Sequence, residues 1–190
     1  MSSTNSPNAQ HPYERLTPDL VIESVETLGP LSDGRILALN SYENRVYQVG
    51  IEDGPPLIAK FYRPGRWSDA AIHEEHAFAL ELAAQEIPIV PPLVRDGSTL
   101  FEREGFRFAI FERRGGRWPE LGIAKDREWM GRFLGRIHMV GRRSRFQHRE
   151  RIDIERMGED SSAYLLDEGW LPRHLDEAYE SLTSDILERV

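Results

Sequence analysis

The 190-residue sequence contains no cysteine. Disulfides, thiolate metal sites and cysteine nucleophiles are therefore excluded, and the absence fits a reducing compartment. No apolar run approaches the roughly 20 residues of a membrane-spanning helix. The Ser-, Asn- and Pro-rich N-terminus lacks the charged and apolar regions of a signal peptide. The expected location is the cytoplasm. Basic residues are the minority: 24 Lys and Arg stand against 32 Asp and Glu, a net charge of −8. That balance opposes generic attraction to nucleic acid or to anionic membrane. No Gly-x-Ser-x-Gly, Walker A or metal-hydrolase signature occurs.

What is present is a patterned order of elements. Residues 1–15 are polar and are expected to be disordered. Thr17 can cap a helix whose first position takes Pro18, and Gly29-Pro30 stops it. Strands are expected around Arg35 to Leu39, at Arg45 to Val49 and at Leu57 to Tyr62, with Gly50 to Pro56 as a hairpin turn. Ser68-Asp69 opens a helix that runs to about Gln85. The prolines at 88, 91 and 92 force an extended segment. Strands at Thr99 to Arg103 and Phe106 to Phe111 complete a five-stranded antiparallel sheet. Beyond a break at Arg114 to Arg117 the pattern is helical: an amphipathic helix from Asp126 to Arg143, a charged loop to Glu159, and weaker segments near Ser161 to Glu168 and His174 to Arg189. The fold class is α+β. The expected domains are a sheet-based lobe at 16–112, a hinge at 113–118 and a partial helical lobe at 119–190.

Lys60 lies in the apolar strand Leu57-Ile58-Ala59-Lys60-Phe61, where alternation sends Ile58 and Lys60 to one face and Ala59 and Phe61 to the other. Beneath a sheet, such an ammonium can hold the α- and β-phosphates of a nucleotide; on a surface it merely snorkels. A half-buried lysine needs a carboxylate to fix it. Glu74 and Glu75 on the next helix both qualify, but about 100° of rotation separates them. Glu75 shares its side with Phe78, Ala79 and Leu82. Asn40-Ser41-Tyr42-Glu43-Asn44 joins the first two strands. It has no glycine, yet Asn40, Ser41 and Asn44 can offer amides and a hydroxyl to phosphate, or form a plain turn. Phe111-Glu112-Arg113 ends the sheet, where a hinge backbone, with Glu112 at its centre, would meet an adenine edge; a simple linker is the alternative. His73 and His76 have no third ligand beside them in the sequence and read as packing or surface residues, and His138 as a hydrogen-bonded packing residue. The arginines at 142–151 read as a solvated connection.

The blocks Leu39 to Gln48, Lys60-Phe61-Tyr62-Arg63-Pro64-Gly65-Arg66-Trp67, Glu74 to Leu80 and Leu134-Gly135-Arg136-Ile137-His138 together resemble the bacterial stress-response serine/threonine kinases. These have an aminoglycoside-phosphotransferase-like fold within the protein-kinase-like superfamily, and the resemblance covers nearly everything after residue 16. It implies ATP and Mg²⁺ as cofactors, protein hydroxyls as acceptors, Lys60 as the ATP-phosphate lysine, Glu75 as its partner, 40–44 as the phosphate-covering loop and 111–113 as the adenine hinge. The family also needs a His-Gly-Asp-x-x-x-x-Asn catalytic loop and a second metal-binding Asp. No asparagine follows Asn44, and neither His174-Leu175-Asp176 nor Ile152-Asp153-Ile154 substitutes for these elements. The expectation is an N-terminal portion with no catalytic residue and no Mg²⁺ ligand of its own, inactive in isolation. A small-molecule kinase of the aminoglycoside, choline or homoserine type and a non-catalytic nucleotide-binding module are the competing readings.

Overall fold

The computed structural model describes residues 12–189. Most of the stretch expected to be disordered thus lies outside the described residues. Residues 12–15 form a turn, and Tyr13 is buried at 8% exposure. Its ring stacks on Phe106, and its hydroxyl donates to the carbonyls of Glu43 and Phe61. An aromatic with a polar tip can thus anchor a segment whose other residues are hydrophilic.

Helix α1 is Pro18–Glu26. The Thr17 hydroxyl accepts from the Leu20 N–H at 3.2 Å and Pro18 sits in the first turn, so both start signals operate. The sheet is built from β1 (Ser32–Leu39), β2 (Arg45–Ile51), β3 (Gly54–Phe61), β4 (Phe101–Arg103) and β5 (Phe106–Glu112), in the order β1-β2-β3-β5-β4 with every pair antiparallel. Helix α2 (Asp69–Ala84) connects β3 to the β4 side, and α3 (Ala124–Gly141) follows β5.

Three strand starts differ from expectation. β1 begins at Ser32 rather than around Arg35, with a register irregularity between Ser32 and Ile36. Residues 54–56, assigned to the hairpin turn, begin β3. The register shifts between the Val49–Leu57 and Ile51–Gly54 pairs, so Pro55 and Pro56 occupy an irregular stretch where a missing N–H breaks no regular ladder. β4 begins at Phe101 rather than Thr99, because Arg95 and Ser98 exchange backbone hydrogen bonds around Gly97 (φ +77°) and Thr99 turns its side chain inward.

One face of the sheet is sealed. Val21 and Val25 of α1 pack with Ala59, Phe61, Phe108 and Ile110, all at 0% exposure. The Phe61 and Phe108 rings lie 5.3 Å apart. Complete burial of side chains of this size stabilises by about 1.5–3 kcal/mol each. The opposite face is partly covered by α2 through Ile72, against Tyr62 and Ala109. Further along α2, Leu82 joins Ile87 and Val140, with Ile137 of α3 packed against them.

The chain divides into two compact units between His148 and Arg149. In the second, Glu155–Glu159 forms a π-helical turn where a loop was expected, followed by α4 (Asp160–Asp167) and α5 (Asp176–Leu187). Asp153 starts that turn by accepting from the Arg156 N–H.

Candidate functional site

The open face of the sheet carries a cavity of about 680 Å³, within the range of small-molecule sites. Leu39, Val46, Ile58 and Phe111 line it from the sheet, Phe78, Ala79 and Leu82 from α2, and Ile137 from α3. Lys60 and Glu75 form its charged end. Glu112 and Arg114, paired at 2.5 Å, also line it.

Helix α2 fixes the charged end. Ser68 caps the helix by accepting from the Ala71 N–H at 3.2 Å. Asp69, in its first turn, pairs with Arg107 of β5 at 2.5 Å. With Ile72 buried, Glu75 is carried to the sheet, where Glu75 Oε1 lies 3.0 Å from Lys60 Nζ. Of the two adjacent glutamates, then, Glu75 meets the lysine. Glu74 faces elsewhere and accepts from the backbone N–H groups of Gln147 and His148 at 2.5 and 2.9 Å. Both partners of the ion pair keep solvent contact, with side-chain exposures of 22% for Lys60 and 33% for Glu75. The lysine remains accessible to an anion in the cavity.

Behind this pair is a buried chain. Lys60 Nζ lies 4.6 Å from the centroid of the Tyr62 ring. The Tyr62 hydroxyl is 2.6 Å from His76 Nε2, and His76 Nδ1 is 2.8 Å from Thr99 Oγ1. Burial pushes the His76 pKa down to about 4, with Lys60 acting in the same direction and Glu75 against it. At neutral pH the ring is therefore uncharged. It carries one N–H, so it donates to one partner and accepts from the other. His76 is thus a satisfied core residue. His138, expected to be a packing residue as well, is exposed instead: the packed stripe of α3 runs through Ile137 and Val140, and His138 lies about 100° away from Ile137 round the helix.

The 40–44 loop is braced from within and below. Ser41 Oγ donates to the Asn44 carbonyl at 2.7 Å, and Asn44 Oδ1 accepts from the Arg63 N–H at 3.3 Å. Glu43 accepts from Arg66 Nε and from the Trp67 indole, both at 2.9 Å, and these two donors hold its carboxyl below the usual carboxylate range despite partial burial. Two of the three polar side chains read as phosphate donors, Ser41 and Asn44, therefore shape the loop, while Asn40 is exposed. Sequence reasoning missed Glu43, Thr99 and Arg114, while for His76 it left packing and surface roles open and the structure gives the packing one. The signal for the first was Trp67, whose indole N–H needs an acceptor when partly buried.

The segment between β5 and α3 is organised by Asp126. Both its oxygens meet Arg117 at 3.1 Å, and it accepts from the Glu120 N–H at 2.9 Å. These contacts hold its carboxyl below the ordinary value. Among the described residues there is no group of three or more His, Asp or Glu side chains placed to hold a metal ion. No helix among them is long and apolar enough to cross a membrane.

A lysine–carboxylate pair at the end of an apolar cleft, under a five-stranded antiparallel sheet, defines a kinase-like phosphotransferase fold. The chain belongs to the phosphotransferase enzyme family, whose model matches residues 35–189. It is similar to stress response kinase A of Escherichia coli (strain K12), with 37% identity over 183 residues, 96% of this chain and 56% of that protein. It is likewise 37% identical over 178 residues to the serine/threonine protein kinase RdoA of Salmonella typhimurium, covering 94% of this chain and 54% of the relative. The chain thus spans about half the length of these curated relatives. Among solved structures, amicoumacin kinase hAmiN in complex with AMP-PNP, Ca²⁺ and Ami shares the fold, with a TM-score of 0.58 at 16% identity over 80% of this chain and 53% of that one.

Proposed function

We propose that the cavity binds ATP and that the chain is the nucleotide-binding part of a serine/threonine protein kinase of the stress response, acting in the cytoplasm on protein hydroxyls. The observation that carries this reading is the Lys60–Glu75 bridge at 3.0 Å inside a cavity of about 680 Å³. Leu39, Val46, Ile58 and Phe111 offer apolar surface for a base, and the backbone around Glu112 offers groups for its edge. Lys60 has three donors, of which Glu75 uses one, leaving the others for phosphate oxygens. Glu75 keeps the ammonium aimed. The braced 40–44 loop would present backbone N–H groups over the phosphates. The name of one curated relative, the serine/threonine protein kinase RdoA, supports a protein rather than a small-molecule acceptor.

When bound in such a reaction, Mg²⁺ would supply charge neutralisation at the phosphates. Among the described residues no group of three or more His, Asp or Glu side chains is placed to hold a metal ion, and the role assigned to this chain is binding and orienting the nucleotide. The 190 residues alone are expected to bind a non-hydrolysable ATP analogue and to transfer no phosphate. Isothermal titration with AMP-PNP and incorporation of γ-labelled phosphate test both halves. Saturable binding that is lost in Lys60→Ala supports the reading. Binding unaffected by that substitution removes Lys60 from the site, and phosphate incorporation by the 190 residues refutes the expected inactivity.

A further inference from the structure

Glu74 has a task that the nucleotide site does not explain. Its two oxygens receive the consecutive backbone N–H groups of Gln147 and His148, at 2.5 and 2.9 Å. One residue earlier, the Phe146 ring meets Phe78 of α2 edge-on, with centroids 5.3 Å apart. At the far end of α2, Arg136 of α3 donates to the carbonyls of Gln85 and Glu86 at 3.2 and 3.1 Å. The helix that carries Glu75 is therefore held from two sides. Its sheet side makes the Lys60 pair, and its other side is strapped by residues 146–148.

Adjacent positions on a helix point about 100° apart, so Glu74 and Glu75 can serve both sides at one level of α2. A carboxylate accepting two backbone N–H groups is a directional, charge-assisted contact, and it fixes the rotation of the helix about its own axis. That rotation decides whether Glu75 reaches Lys60.

We propose that Glu74 is a positioning residue: by binding the 146–148 strap it sets the rotation of α2 and so holds Glu75 against Lys60. This rests on the nucleotide reading only for its effect on ATP. Its structural half stands without it.

Lys60 and Lys125 are the only lysines among these 190 residues, so the two peptides that carry them permit a direct test in the nucleotide-free protein. The rate at which a succinimidyl ester acylates Lys60, relative to exposed Lys125, is followed by mass spectrometry. Glu75→Gln, which weakens the pair itself, sets the scale. Glu74→Ala should raise the Lys60/Lys125 ratio by about fivefold or more, the range of ordinary coupling between sites. Glu74→Gln, which keeps an acceptor for one N–H, should fall between. Phe146→Ala, at the other anchor of the strap, should act in the same direction, and the double variant should exceed neither single one by much, because both act through one contact. A purely structural loosening would give additive effects and no rescue by glutamine. An unchanged ratio in Glu74→Ala, or full additivity, overturns the proposal. AMP-PNP affinity is then measured on the same variants. A raised ratio with AMP-PNP binding absent even in the unsubstituted protein leaves the strap standing and removes the nucleotide reading instead. A raised ratio with unaltered AMP-PNP affinity shows that the strap does not serve the nucleotide and overturns that half.

Discussion

The two faces of the sheet are made by the same strands and have opposite chemistry. On the α1 face, the alternate residues Leu57, Ala59 and Phe61 of β3 and Phe106, Phe108 and Ile110 of β5 are buried in one cluster with Val21 and Val25, and the contacts are apolar. On the α2 face, the intervening residues Ile58 and Lys60 line a cavity that only part of α2 covers. The period of two along a strand makes this possible, since one residue can be fully buried while its neighbour is exposed to a ligand. The contrast implies a division of labour. The sealed face supplies stability and can be passive in binding, whereas the open face keeps a charged pair that adds little to stability. Substitutions on each side should therefore separate the two quantities.

The largest effect is expected on the sealed face. Phe108→Ala removes a ring at 0% exposure that stacks on Phe61, and it should cost about 3–5 kcal/mol of unfolding free energy. Denaturant unfolding measures it. A loss below about 1 kcal/mol would mean that this face is not the principal core.

Lys60→Ala should reverse the pattern. If the proposed function holds, phosphoryl transfer by the full-length protein should fall by about 10²–10³-fold, the size of one lost electrostatic contact to the reacting groups. Stability should change by no more than about 1 kcal/mol, because both partners of the pair are partly exposed at 22% and 33% and water screens the loss. A variant that unfolds would show that the pair is structural and would collapse the distinction between the faces.

His76 lies at the boundary, on the open side yet 2% exposed. Its folded pKa is about 4, against 6.5 for an ordinary histidine. Between these values the unfolded chain binds a proton that the folded chain does not, so stability falls as pH drops from 6.5 towards 4 and levels off below. The full effect is at most about 3 kcal/mol. Glu43, with its carboxyl held low, loses its contribution only at more acid pH. Unfolding free energies at pH 7 and pH 5 isolate the histidine, and His76→Gln should flatten the difference. An equal pH dependence in that variant would assign the effect to other groups.

The legible parts of this molecule were those governed by local period. Alternation in β3 placed Lys60 and Ala59 on their faces, and the Thr17-Pro18 start of α1 needed only adjacent residues. The 3.6-residue period favoured Glu75 over Glu74. What stayed hidden depends on partners far apart in the chain. Thr99 reaches His76 across 23 residues and Trp67 reaches Glu43 across 24, and Glu74 binds a backbone 73 residues away. Nothing local marks a side chain that bonds at such a distance. The prolines at 55 and 56 misled for a related reason: their fit depends on a register shift against β2, which is a property of the pair of strands.

The smallest expected effect is the most exacting test of the separation. Thr17 caps α1 through one bond to the Leu20 N–H, and Thr17→Ala should cost about 1 kcal/mol. α1 packs on the sealed face alone. If that face is passive, AMP-PNP affinity should be unchanged in this variant, measured by titration at a temperature where it remains folded. If affinity falls along with stability, the two faces communicate through the strands they share. Lys60 would then depend on the packing of Ala59 and Phe61 beside it as well as on Glu75 in front of it.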